Sequence, residues 1–125
     1  MPKASANTQE TERLDLKSCE GGFVEARRLT YGEKIQRRAM VSAMKIGGNK
    51  GSKEFAGEMQ LVNEQATAFD FQRCIVDHNL FKDDEETQKF NFKSILDIQA
   101  LDPRVGEEID NFLSELNNFE DDEGN

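Results

Sequence analysis

The sequence has no Trp, one Tyr, one His, two Cys and two Pro in 125 residues. Each shortage excludes something. A single imidazole removes most hydrolase templates and leaves His-rich metal sites without ligands. Cys19 and Cys74 are too few to staple a small fold, so a reduced protein is expected. No run approaches the roughly 18 to 20 apolar residues of a membrane-spanning helix, so none is expected. The opening stretch, MPKASANTQETER, holds no apolar segment, so no secretory signal is expected there.

What the chain does have is Phe, with nine, and charge, at 33% of residues. The length suits one domain with one core. The net charge of -9 is unevenly placed. Residues 1–53 carry 11 Lys and Arg against 6 Asp and Glu, whereas residues 54–125 carry 5 against 19. So acidic a chain is a poor partner for phosphate backbones, and nucleic-acid binding is not expected. Two readings of the asymmetry stay open. The halves attract each other within one fold, or opposite faces are offered to neighbours in an assembly.

Residues 1–12 are small, polar and unpatterned, which predicts a mobile arm. Gly21-Gly22 between two seven-residue segments predicts a β-hairpin, with Leu14 opposite Leu29 and Asp15 opposite Arg28. Thr30-Tyr31-Gly32-Glu33 matches a capping box that opens a helix. That helix carries Ile35, Ala39, Ser42 and Ile46 at spacings of 4, 3 and 4, flanked by Lys34, Arg38 and Lys45, and ends at Gly47-Gly48. Ser52 caps a long helix expected over 53–78. Its main stripe is Phe55, Met59, Val62, Ala66, Phe69 and Val76. A second stripe, Leu61, Ala68 and Ile75 extended by Phe71, lies about 120° away around the helix. A helix apolar on two sides is either central in its own fold or buried a second time by a partner. Residues 94–100 predict a short helix. Asp102-Pro103 opens a last one, with Val105, Ile109, Phe112, Leu116 and Phe119 as its stripe. The expected fold is therefore α+β: an N-terminal β-hairpin, then three main helices and a short fourth. Its expected extent is 13–119, followed by an acidic tail at 120–125.

Motifs that would carry chemistry fail on inspection. Counting from Asp77, an EF-hand would need an oxygen ligand at Phe81, Gly at Lys82 and Glu at Gln88. Gly47–Ser52 has Gly, Lys and Ser in the wrong order for a phosphate loop. Cys74 and His78 lie four apart, which on a helix would put a thiol and an imidazole on one side. A structural zinc needs two more ligands, and no orienting group completes a catalytic dyad. No catalytic residue, cofactor or metal is expected.

Three segments together resemble tail assembly chaperones of long-tailed bacteriophages. They are Leu29-Thr-Tyr-Gly-Glu33 entering a helix, Phe71-Gln-Arg-Cys-Ile-Val-Asp-His-Asn-Leu80 followed by acids and Phe90-Asn-Phe92, and Leu101-Asp-Pro-Arg-Val-Gly-Glu-Glu-Ile109 before a helix ending Leu116-Asn-Asn118. The resemblance spans about residues 13–118. It implies a non-enzymatic protein of the bacterial host cytoplasm, absent from the finished particle. Such a protein binds the tape-measure protein, keeps it soluble and helps recruit tail-tube subunits, with self-association left open. On this view Leu61, Ala68, Phe71 and Ile75 form a partner-binding stripe. A rival reading is a small acidic inhibitor that mimics nucleic-acid charge on a partner enzyme.

Overall fold

The structure is a computed structural model that describes the backbone of residues 2–47 and 53–118, and within these the side chains outside 43–63. The fold is α+β. Strands β1 (Thr11–Asp15), β2 (Phe23–Arg27) and β3 (Ile75–His78) form one antiparallel sheet in the order β1-β2-β3. Helices α1 (Tyr31–Gly47) and α2 (Lys53–Cys74) separate β2 from β3, and α3 (Ile95–Gln99) and α4 (Pro103–Asn117) follow. Gly47 is the last residue of α1; residues 48–52 of the expected loop, the Ser52 cap, Phe119 and the 120–125 tail lie outside the described residues, as do the side chains of Ile46, Phe55, Met59, Leu61 and Val62.

The hairpin forms, in a different register from the expected one. Leu14 faces Val24 and Asp15 faces Phe23, and the ladder starts at Thr11, inside the segment expected to be a free arm. Leu16 then donates to the Gly22 carbonyl at 2.9 Å, and Gly22 donates to the Cys19 carbonyl at 2.9 Å. The tight turn is therefore Cys19–Gly22, with Gly21 third at φ +80, as a type II turn requires. Gly22 serves space instead: a Cβ there would sit 3.0 Å from Leu80 Cδ2 and 3.1 Å from the Cys19 carbonyl oxygen.

The third strand occupies residues that the sequence pattern assigns to the end of the long helix. Helix α2 stops at Cys74, and the β-branched pair Ile75-Val76 continues as strand beside β2. Val24 faces His78 and Glu25 faces Asp77, but Ala26 faces Ile75. Val76 is therefore the extra residue of a bulge, which leaves it half exposed rather than in the core.

The core gathers Val24, Ala26, Phe71, Cys74, Leu80 and Phe92 with Val105, Ile109, Leu113 and Leu116 of α4. Asp102 caps α4 as expected, accepting from the Arg104 amide at 2.9 Å, and Ser94 caps α3. Leu113 is wholly buried and Phe112 only partly, because α4 turns a broader face inward than its predicted stripe. Buried Asn117 closes this side. Its oxygen accepts from the Leu29 amide at 2.8 Å, and its amide group donates to the Leu113 carbonyl at 2.9 Å and to Cys74 Sγ at 3.7 Å.

Candidate functional site

Three of the four residues proposed for a partner stripe are part of the core. Ala68, Phe71 and Ile75 are buried, Phe71 to 1% exposure, and the Phe71 ring meets Phe92 edge-on at 5.8 Å. Leu61 lies outside the described side chains. The correction has a physical reason. The C-terminal half of α2 is central: α1, α3, α4 and β3 all contact the helix. Ala66 and Asp70 are buried on one side, and Ala68, Phe71 and Cys74 round to the other. Ile75 no longer belongs to the helix, so a helical wheel drawn through it misplaces it. Phe69, expected in the main stripe, is only half-buried, with the Arg73 guanidinium 5.3 Å from its ring centre.

Exposed large apolar side chains among the described residues lie instead on α1, at Tyr31 and Ile35, as well as at Val76 of β3 and Ile95 and Leu96 of α3. The capping box of α1 forms as expected: the Thr30 amide donates to Glu33 Oε1 at 3.0 Å and the Glu33 amide donates to Thr30 Oγ1 at 3.2 Å. The Glu33 carboxylate also takes two bonds from Arg27, at 2.8 and 2.9 Å. These bonds hold its pKa down at about 2, the Arg27 hydrogen bonds contributing most. One turn on, Arg37 Nε reaches the buried Asp70 carboxylate at 2.9 and 3.2 Å. The inner face of α1 is thus Glu33, Arg37, Met40 and Val41, anchored by charge. Ile35 and Ala39, expected to face inward, point out with Ser42 and Tyr31. Tyr31 is 71% exposed and Ile35 48%. Apolar spacing alone cannot tell an inward stripe from an outward one; the two ion pairs decide it.

A second feature is an open cleft of about 630 Å³ where the Cys19–Gly22 turn, the 79–90 segment and the start of α4 meet. Asn79 ties the first two, accepting from the Phe23 amide at 2.8 Å and donating to the Gly21 carbonyl at 2.9 Å. A bridge between Phe81 and Lys89 closes the segment, and Asp83 caps its turn by accepting from the amides of Thr87 and Gln88 and from the Thr87 hydroxyl. Lys82 Nζ reaches Asp97 of α3 at 2.8 Å, and the other oxygen of Asp97 accepts from the Asn91 amide at 2.8 Å.

Cys74 and His78 do not form a pair. Cys74 is the last residue of α2 and fully buried, and desolvation pushes its thiol up to about 12. The strand after it rises roughly 3.3 Å per residue and carries His78 away. The His78 ring packs against Phe92 with centroids 4.5 Å apart and the planes tilted by 56°, and its Nδ1 accepts from the Leu80 amide at 3.1 Å. Burial, with Lys89 nearby, lowers its pKa. Cys19 and Cys74 are both free thiols. Among the described residues no group of three or more His, Cys, Asp or Glu could hold a metal ion, and no helix is long and apolar enough to cross a membrane. No protein-family model, curated protein or solved structure matches the chain.

Proposed function

We propose that this chain is a non-enzymatic tail assembly chaperone of a long-tailed bacteriophage, acting in the host cytoplasm to keep the tape-measure protein soluble and to help recruit tail-tube subunits. The resemblance of its three segments supplies the class of activity. The observation that carries the proposal is the outward stripe of α1, where Tyr31, Ile35 and Ala39 are exposed while Arg37 and Glu33 hold the helix from behind. A helix anchored from behind by Glu33 and Arg37, whose outer side carries Tyr31, Ile35 and Ala39 beside exposed Arg38 and Ser42, suits contact with another amphipathic helix. Tyr31 itself belongs to the first resembling segment.

Co-expression with the tape-measure protein of the same phage tests the proposal. The intact chain should keep that protein in the supernatant. Changing Tyr31 and Ile35 to Ser should leave the melting midpoint nearly unchanged, since exposed substitutions usually move stability by only about 0.5 kcal/mol. It should return the tape-measure protein to the pellet. A tape-measure protein equally soluble without the chain would refute the proposal. If co-purification survives the double change but is lost by about 0.5 M NaCl, the charge-mimic reading gains instead, because salt screens charge pairs and leaves apolar burial in place.

A further inference from the structure

We infer that the cleft between the Cys19–Gly22 turn and the 79–90 segment is a docking site for a basic polypeptide segment that carries an apolar or aromatic anchor. The inference does not depend on the phage reading.

Its floor is apolar: Leu80 and Val105 are buried there, and Phe90 and Leu101 are half-buried with part of their surface open to it. About 630 Å³ falls within the range of sites that bury a ligand group. The walls are fixed before any ligand arrives. Asn79 holds the turn, Gly22 is packed against Leu80, and Asp102 caps the helix that supplies Val105. A preformed wall loses little conformational freedom on binding, which favours affinity.

The rim chooses the sign of the occupant. Five carboxylates line the cleft, those of Glu20, Asp83, Asp84, Glu86 and Asp102, against one ammonium, Lys82, which is already engaged by Asp97. Asp83 is spent on its own turn and Asp102 on the α4 cap. Glu20, Asp84 and Glu86 have no ion-pair partner among the described residues. An anionic or purely apolar occupant would bring no charge to offset them. A Lys- or Arg-flanked apolar side chain would bury its anchor on the floor while its charges meet the rim. Small polyamines would meet the rim and leave the floor unfilled.

Isotope-labelled protein titrated with the peptide acetyl-KKLFKK-amide tests this. Saturable shifts should appear at the amides of Gly21, Gly22, Leu80 and Leu101. Replacing the anchor, in acetyl-KKAAKK-amide, should weaken binding at least fivefold, and acetyl-EELFEE-amide should give no saturation. The double variant Glu20→Lys with Asp84→Lys should weaken acetyl-KKLFKK-amide at least tenfold with a melting midpoint no lower than that of the intact chain, both sites being exposed and the net negative charge being reduced. The Tyr31 and Ile35 double variant should bind the peptide as the intact chain does, which separates this site from the α1 surface. No saturation by about 1 mM, equal affinity for the Ala peptide, or shifts confined to other residues would each overturn the inference.

Discussion

Phe69 and Phe71 sit two residues apart on α2 and do different work. Phe71 is 1% exposed and edge-on to Phe92, whereas Phe69 is half-buried beneath Arg73. Emptying a buried aromatic site costs about 3 to 5 kcal/mol. Phe71→Ala should reach that range in urea melts, and Phe69→Ala should lose clearly less. Equal losses would contradict the burial assigned to the two rings. The pH dependence is also a matter of single residues. The carboxylate of Glu33 titrates at about 2 in the fold against an ordinary 4.5. A lowered pKa contributes stability that is present above about 4.5 and is lost as the pH falls toward 2. Glu33→Gln should therefore be less stable than the intact chain at pH 7, and the gap should shrink by pH 3. Other lowered carboxylates, such as Asp97 and Glu108, are present in both proteins and cancel in the comparison. A gap independent of pH would mean that the Arg27–Glu33 pair adds nothing. Residue-scale signals were the most legible in the sequence: the capping box at Thr30 and the Asp102-Pro103 start are local chemistry, complete within four residues. Asn117 was not legible, because its partners Leu29 and Cys74 are 88 and 43 positions away.

At the scale of elements, legibility fell where periodicity had to choose a side. The apolar rhythm of α1 was visible, but which way it faced depended on Asp70, 33 residues on. The change from α2 to β3 was hidden because Ile75 and Val76 continue a helical spacing while their β-branched side chains suit a strand. Ala68, Phe71 and Ile75 of the candidate partner stripe proved buried, Ile75 for the same reason, and the cleft could not be read at all, since its walls come from three distant segments. The hairpin shows two glycines with separate duties. Gly21 holds φ +80 in open space, and Gly22 leaves room for Leu80 and the Cys19 carbonyl. Gly21→Ala should cost about 1 to 2 kcal/mol from left-handed backbone strain alone. Gly22→Ala should cost about 1 to 3 kcal/mol by overpacking. It should also move the Leu80 amide resonance, which Gly21→Ala should leave in place. Both variants melting like the intact chain would mean that the turn is not built as described.

At the scale of the molecule, part of the uneven charge is cancelled inside the fold. Arg37–Asp70 joins the basic and acidic parts of the chain, and Glu108 accepts from the Lys17 and Ser18 amides and the Ser18 hydroxyl. The other described pairs are mostly local: Arg13–Asp15, Arg27–Glu33, Lys82–Asp97 and Arg104–Asp102 each lie within one part. Of these, Arg13–Asp15 and Arg104–Asp102 are exposed, and exposed pairs contribute about 0 to 1 kcal/mol each. What remains is a net charge of -9 on a small surface, whose self-repulsion opposes the compact state. Salt screens that repulsion and the exposed pairs alike, but barely touches the buried Arg37–Asp70 contact. Raising NaCl from about 0.02 to 0.3 M, where screening is nearly complete beyond one contact shell, should therefore raise the melting midpoint by a few degrees. Arg37→Met with Asp70→Leu, which removes the buried pair and keeps the net charge, should show the same salt-dependent rise from a different starting midpoint. A midpoint that falls with salt would show that attraction between exposed charges outweighs the net repulsion, and that the acidic surface is stabilising rather than held in reserve for a basic partner.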